Sequence, residues 1–245
     1  MIEIINLHKK FGKLEVLKGV NLILKKGEIT AIIGRSGCGK TVLVKHIVGL
    51  LKPDKGKIIV DGEDITAISE KKLKYIRRKF GMLFQEGALF DSMTVAENIA
   101  FPLKEHTNLS EKEIKKIVKE KLALVGLKDI EKKMPNELSG GMKKRVALAR
   151  AIALEPEIVI YDEPTTGLDP MASVSIYELI QDMEKRLKIT SIIITHDVPN
   201  VFAVANRIAV LHEGKIIACD TPENIVKLDK PEIQAFLKTQ MKFKL

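Results

Sequence analysis

The stretch Ile29-Thr30-Ala31-Ile32-Ile33-Gly34-Arg35-Ser36-Gly37-Cys38-Gly39-Lys40-Thr41 decides how this chain is read. Its first five residues form a short apolar run, as a strand buried on both faces requires. From Gly34 to Thr41 the residues fit the phosphate-loop pattern GxxxxGK[ST]. Beyond them Val44, Ile47, Val48 and Leu51 recur at helical spacing and predict a helix over Val42–Leu51. The order is therefore strand, glycine-rich loop, helix. Gly34, Gly37 and Gly39 permit backbone angles that aim successive N–H groups at phosphate oxygens. The helix that follows adds its positive end. Lys40 brings a charge to the β- and γ-phosphates, and the Thr41 hydroxyl is a hard oxygen ligand for Mg²⁺. Arg35, Ser36, Cys38 and Val42 complete the nucleotide-facing segment. Cys38 is read as a small residue that fits its place, not as a redox group.

Outward from this loop the chain reads as α/β. Ile2–Leu7 and Gly19–Leu24 are strand-like, and Lys25-Lys26-Gly27 is a turn signal. Lys57–Val60 is a strand closed by the hairpin dipeptide Asp61-Gly62. From about Ser110 to Arg150 strand signals vanish. Ser110-Glu111-Lys112-Glu113 has the form of a capping box opening a helix through Val125, and a second helix is expected from Gly140 to Leu154. Strands return at Glu157–Tyr161 and Ser191–Thr195, joined by a helix over Ser173–Leu187, which makes a βαβ unit in a parallel sheet. Arg207–Leu211 and Lys215–Ala218 flank Glu213-Gly214 as a closing hairpin, and Pro231–Leu245 reads as a basic, helical tail, whose last stretch Lys238–Leu245 frays by default, the alternatives being contact with a twin subunit or with acidic headgroups.

Composition sets the outer limits. The chain has 245 residues, of which 45% are hydrophobic and 30% charged, enough to bury a full core and too apolar for disorder. No apolar stretch approaches the roughly 20 residues of a membrane span. No leader pattern is visible, and the two cysteines, Cys38 and Cys219, form no disulfide framework, so a reducing cytosol is expected. The net charge of +9 admits anionic partners such as nucleotide phosphates, nucleic acid or acidic lipid headgroups, or else a Lys/Glu-rich solvated surface. Aromatic residues make up only 4% and Trp is absent, which argues against a stacking platform for single-stranded nucleic acid.

A second set of residues completes the chemistry. The apolar run Ile158–Tyr161 ends in Asp162-Glu163, and the carboxyl end of a parallel strand faces the crevice where ligands sit. Asp162 can hold Mg²⁺ directly or through water, and Glu163 can polarise an attacking water as general base. His196 follows the strand Ser191–Thr195 into the same crevice, where it can bond the γ-phosphate and orient that water. Gln85 follows the apolar Met82-Leu83-Phe84.

With Leu138-Ser139-Gly140-Gly141-Met142 and Gly167-Leu168-Asp169 added, five motifs stand in order, and the whole chain resembles an ABC-transporter ATPase subunit. The resemblance implies a P-loop NTPase (RecA-like) fold, α/β with a mainly parallel sheet, an N-terminal antiparallel β-subdomain and a helical insertion. It divides the chain into a core of 1–85 and 157–225, a helical subdomain of 86–156 and a tail of 226–245. Phe11 takes the place of an aromatic that stacks on adenine, with Val16 beside it. Gln85 becomes the Q-loop glutamine that touches Mg²⁺ or the water. Ser139, Gly140 and Gly141 become the signature that closes on the γ-phosphate of ATP held by a second subunit. Asp169 belongs to a loop crossing that interface, and His196 is the switch histidine. Met142 departs from the usual Gln. The phosphate-binding groups lie elsewhere, so activity is expected to survive the change, which points to a subfamily.

Met142 together with Phe84–Val95 and Glu97–Leu103 is similar to the ATPases of Mla/Mce-type lipid transport systems. That likeness implies a homodimer around two ATP–Mg²⁺, an inner-membrane permease seated near residues 85–103, and an Mce-domain lipid-binding protein. It also implies phospholipid transport that maintains outer-membrane lipid asymmetry, from a position peripheral to the cytoplasmic face of the inner membrane. Leu89, Phe90, Met93, Val95 and Phe101 are expected to be mostly core, with some lining the permease groove. Amino-acid importers and lipoprotein-releasing complexes share much of the pattern and remain alternatives. A nucleic-acid ATPase is a rival of another class. Without a long coiled-coil insertion, a zinc module or a second cassette in the sequence, no nucleic-acid partner is expected.

Overall fold

The computed structural model describes residues 1–241; the last residues of the basic tail, 242–245, lie outside them. The chain opens with the hairpin β1 (Ile2–Phe11) and β2 (Leu14–Leu24), longer on both sides than the apolar runs suggest. β3 (Ile29–Ile33) is buried along its whole length and leads through the phosphate loop into α1 (Lys40–Ile47). β4 (Lys55–Val60) returns to pair with β1, and β5 (Glu63–Asp64) folds back on β4. Their two-residue turn has Asp61 at φ 49° and Gly62 at φ 86°, the left-handed pair that matches strand twist in a tight hairpin.

α2 (Glu70–Arg77) and β6 (Phe80–Leu83) then lead into three helices: α3 (Val95–His106), α4 (Glu111–Leu124) and α5 (Gly140–Ala151). The chain re-enters the sheet at β7 (Ile158–Asp162), crosses through α6 (Pro170–Leu187) to β8 (Thr190–Ile194), and continues through α7 (Val198–Val204). The hairpin β9 (Arg207–His212) and β10 (Lys215–Asp220) follows, with α8 (Pro222–Lys227) and α9 (Pro231–Met241) last.

Two sheets result. One is antiparallel, in the order β2-β1-β4-β5; the other runs β10-β9-β3-β8-β7-β6 and is parallel except for β10. Strand alternation divides the second sheet between two cores. Ala31, Val159, Tyr161 and Ile193 face the layer holding α3 to α7. Ile32, Ile160, Ile192 and Ile194 face α1, α2 and the antiparallel sheet. Each buried Ile or Leu side chain contributes about 1.5–3 kcal/mol, so a sheet covered on both faces is a stiff platform for whatever its strand ends carry.

Several boundaries differ from the sequence reading. The first helix spans Lys40–Ile47, not Val42–Leu51, because the phosphate loop runs directly into it and Gly49 at φ 69° stops it. The second insertion helix ends at Ala151, not Leu154, and Glu155 turns left-handed before Pro156. The connecting helix begins at Pro170, where Asp169 caps it, not at Ser173. Helical structure after the phosphate-loop half begins well before Ser110. Thr94 and Glu97 form a full capping box for α3, whose interior Pro102 disguises it in sequence. The tail is helical over Pro231–Met241, with Ile233, Phe236 and Leu237 buried in the core; the fraying expected of Lys238–Leu245 falls in part on 242–245, outside the described residues.

Candidate functional site

The parallel strands deliver their chemistry at one edge. The phosphate loop follows β3, His196 follows β8, Asp162 and Glu163 close β7, and Gln85 follows β6. In the sheet these strands are successive neighbours, so their carboxyl ends converge on a crevice. A cavity of about 680 Å³ lies there, lined by Val16, the phosphate loop, Gln85, Asp162, Glu163 and His196.

The loop's glycines have steric reasons. A Cβ on Gly34 would lie 2.2 Å from the Leu211 carbonyl oxygen, and Gly39 at φ 107° would press its Cβ against Val16 and Leu17 at 3.1 Å. Gly39 also leaves α1 without a side-chain cap, whereas α2 to α8 are each capped by a Ser, Thr or Asp side chain. The first-turn N–H groups of α1 are thus left for an anion. Lys40 reaches back over the loop and donates to the carbonyls of Gly34 (2.9 Å) and Arg35 (3.2 Å). The Cys38 side chain turns away and packs on the core beneath the loop, where burial pushes its thiol up in pKa. That geometry matches a small packing residue rather than a thiolate.

Glu163 holds a left-handed backbone at φ 49°, uncommon for a residue with a side chain and worth about 1–3 kcal/mol of strain. Its N–H donates to the Ile194 carbonyl at 2.8 Å, which fixes the turn. Its carboxylate, with only 14% of the side chain exposed, meets the Nδ1 of His196 at 2.8 Å and accepts from the His196 backbone N–H at 3.3 Å. Both contacts fall on the same oxygen, Oε2. A carboxylate only accepts, so Nδ1 carries the hydrogen and Nε2 is the nitrogen left over.

Burial raises the pKa of Asp162, and the neighbouring charge of Glu163 raises it further; Lys40, Lys45 and Lys144 act against this. Two crowded carboxyl groups facing a hydroxyl (Thr41) and an amide (Gln85) make an all-oxygen set of the kind a hard divalent cation relieves. Among the described residues no cluster of three or more His, Cys, Asp or Glu side chains is placed to hold a metal by itself. Mg²⁺ fits that donor set, provided that phosphate or water oxygens complete its shell.

Not every residue read from sequence reaches the cavity. Phe11 sits exposed at the tip of the first hairpin, with Lys9 Nζ 5.6 Å from its ring centroid. Ser139 and Gly140 are exposed at the start of α5, where the Ser139 hydroxyl accepts from the Met142 N–H at 3.3 Å. Asp169 caps α6 through the Ala172 N–H at 2.9 Å, also exposed. Of these, the start of α5 and the Asp169 loop are neighbours, since a Cβ on Gly140 would lie 3.3 Å from the Leu168 side chain.

The structure adds residues that sequence reasoning missed. Phe236 and Gln240 of α9 line the cavity, and a smaller chamber of about 220 Å³ lies between α9 and Gly34-Arg35. The apolar spacing Ile233, Phe236, Leu237 was the available signal for a helix packed inward. A third concavity, about 560 Å³, lies beyond Gln85 and is lined by Phe84, Phe90, Phe101, Lys74, Arg78 and Arg150. Of the apolar residues expected near here, Val95 is core, whereas Phe90 and Phe101 are partly exposed with ring centroids 5.0 Å apart.

A strand-fed phosphate loop, paired acids on the adjacent strand ends and a histidine held by one of them define a P-loop ATPase. The chain belongs to the ABC transporter family, whose pattern residues 17–166 match. It is 45% identical over 238 residues, 97% of this chain and 90% of that one, to the intermembrane phospholipid transport system ATP-binding protein MlaF of Haemophilus influenzae. It is 44% identical over 236 residues, 96% of this chain and 66% of that longer protein, to the probable ribonucleotide transport ATP-binding protein mkl of Mycobacterium tuberculosis. Among solved structures, the dimeric post-hydrolysis state of the ATP-binding cassette MJ0796 with ADP and Pi matches with a TM-score of 0.82 at 33% identity. That match covers 91% of this chain and 99% of that one. The fold is that of an ABC ATPase.

Proposed function

We propose that this chain is the ATP-hydrolysing motor of a phospholipid transport system, working as a homodimer beneath an inner-membrane permease. The observation that carries the ATPase reading is the convergence of an uncapped helix start, Lys40, two carboxyl groups and a clamped histidine on one cavity. The name borne by the Haemophilus relative supports the cargo.

In this reading the amides of the Gly34–Thr41 loop, the start of α1 and Lys40 bind the polyphosphate, while Phe11 and Val16 flank the base. Thr41, Gln85 and Asp162 would hold Mg²⁺, which would neutralise charge on the phosphates. Glu163 takes the proton of the attacking water through Oε1, since Oε2 is committed to His196. His196, oriented by that contact, addresses the terminal phosphate through Nε2. Ser139, Gly140 and Gly141 of the second copy close the site from the other side, and Asp169 crosses between copies. The Ser139 hydroxyl can accept from Met142 N–H and still donate its own hydrogen to a phosphate oxygen. Loss of that terminal phosphate removes what both copies hold, and the pair opens.

No helix among the described residues is long and apolar enough to cross a membrane. The groove of Phe84, Phe90 and Phe101 beside Gln85 is the proposed seat of a permease helix. An Mce-domain lipid-binding protein is the proposed further partner. The mycobacterial relative's name supports a second cargo reading, ribonucleotide. Purifying the membrane complex and weighing its bound small molecules by mass spectrometry decides between them. Phospholipid in stoichiometric amount is expected; nucleotide other than ATP or ADP, without lipid, overturns the cargo.

A further inference from the structure

The signature edge and the Gln85 loop are far apart in sequence, yet one helix grips that loop directly. Lys144 Nζ on α5 donates to the Gln85 carbonyl. Arg150, two turns further along, donates through both terminal nitrogens, to the carbonyls of Gly87 and Ala88 at 2.7 Å each. Between these cations the loop backbone lies against the helix: a Cβ on Gly87 would stand 3.3 Å from that of Ala147. Gly87 at φ 77° turns left-handed without cost, whereas Ala88 at φ 47° is in a region that a side chain disfavours, the conformation that the Arg150 grip accompanies. Lys144 itself is only 5% exposed. Burying an ammonium is expensive unless it is bonded and compensated. Burial lowers the Lys144 pKa, and the charges of Glu86, Glu163 and Asp162 act against that. The cation thus holds the backbone of Gln85, which lines the cavity together with Asp162 and Glu163.

We propose that Lys144 and Arg150 lock the Gln85 loop onto the signature helix, so that Ser139, Gln85 and the phenylalanine-lined groove move as one body. Lys144 is then a positioning residue. It fixes where the Gln85 side chain stands in the cavity, and it carries displacement of the signature edge into the chain's own cavity. Arg150 carries the same displacement to the groove, since it lines that groove and also lies 5.8 Å from the Phe90 ring centroid. The network is contiguous: Ser139 starts the helix that bears both cations, and the loop they hold runs between cavity and groove. The inference rests on Gln85 being a site residue.

The test uses the full-length protein with Lys144→Met, Lys144→Arg and Gln85→Ala, singly and combined. Lys144→Met should lower kcat by about 10- to 100-fold, as losses of an outer positioning partner do, with the KM for ATP nearly unchanged. Lys144→Arg should restore most of the rate. In the Gln85→Ala background Lys144→Met should cost little more, because its effect runs through the Gln85 amide. Penalties that multiply, or a KM effect without a kcat effect, overturn the positioning role. Hydrogen exchange at residues 85–88 reads the lock by itself: faster exchange in Lys144→Met is expected, and unchanged exchange overturns it whatever Gln85 does. Gln85→Ala at the native rate would instead overturn the reading of Gln85. Should Lys144→Met not fold, Arg150→Lys, which gives up the two-pronged grip, must speed the same exchange; if it does not, the lock is wrong.

Discussion

Two helices of this molecule begin beside glycine-rich segments, and they treat their first N–H groups in opposite ways. α1 starts at Gly39 with no side-chain cap and opens its first turn onto the cavity shared with Lys40, Asp162 and Glu163. α5 starts after Ser139, whose hydroxyl already satisfies the Met142 N–H, and it stands exposed, outside that cavity. One chain thus carries an uncapped helix start inside a cavity and a capped one that faces outward. Under the proposed function the contrast separates binding, provided within one copy, from hydrolysis, which calls for two.

Breaking the first region should cost most. Lys40→Ala removes the charge that spans the loop, and ATP affinity should fall by about two orders of magnitude, since a buried or half-buried charged hydrogen bond is worth about 1.5–3 kcal/mol. Equilibrium binding to the isolated chain checks it. Glu163→Gln spares that affinity but should cut hydrolysis by about 10²–10⁴-fold, the range for loss of a general base. With ATP present the variant should migrate as a stable dimer on size-exclusion chromatography. Native turnover would remove Glu163 from the base role.

The second region sharpens the comparison. In the proposed dimer, Ser139→Glu sets a carboxylate against the phosphate held by the partner copy. Hydrolysis should drop by about 10²–10³-fold, as when a transition-state donor is lost, while one isolated chain binds ATP as before. If binding to the isolated chain fell in parallel, the two faces would not be separate functions.

The two regions also differed in how far the sequence disclosed them. β3, the phosphate loop and the Asp162-Glu163 strand end were legible because local rules specify them: a buried run, obligate glycines, a charge at a fixed offset. So were both tight hairpins, whose Asp-Gly and Glu-Gly pairs dictate left-handed turns. The contacts joining distant segments were not. Nothing local marks Lys144 as buried or Arg150 as bound to two loop carbonyls, since a cation on a helix usually reads as solvated. α9 against the phosphate loop is likewise a tertiary fact, decided by what Phe236 finds to pack on. α3 escaped for a local reason: Pro102 masks a helix that the capping box of Thr94 and Glu97 announces.

The smallest expected effect separates a structural cap from a functional one. Ser110 and Ser139 both cap helices, but three residues later the first has Glu113 and the second Met142. The Ser110 hydroxyl and N–H both donate to Glu113 and hold its carboxyl below the ordinary range; Thr94 does the same for Glu97. A carboxyl depressed by folding adds stability that is present above its unfolded pKa and is lost as pH falls through the folded one. Ser110→Ala should therefore flatten the acid limb of stability and leave hydrolysis alone; loss of the cap itself typically costs a helix about 1 kcal/mol. Ser139→Ala should cost a similar amount of stability, leave the acid limb as it was, because no carboxylate completes its cap, and slow hydrolysis. Urea midpoints measured from neutral to acid pH, beside the ATPase rate of each variant, read both outcomes. A Ser139→Ala protein that lost stability and kept its rate would reduce the signature serine to an ordinary cap.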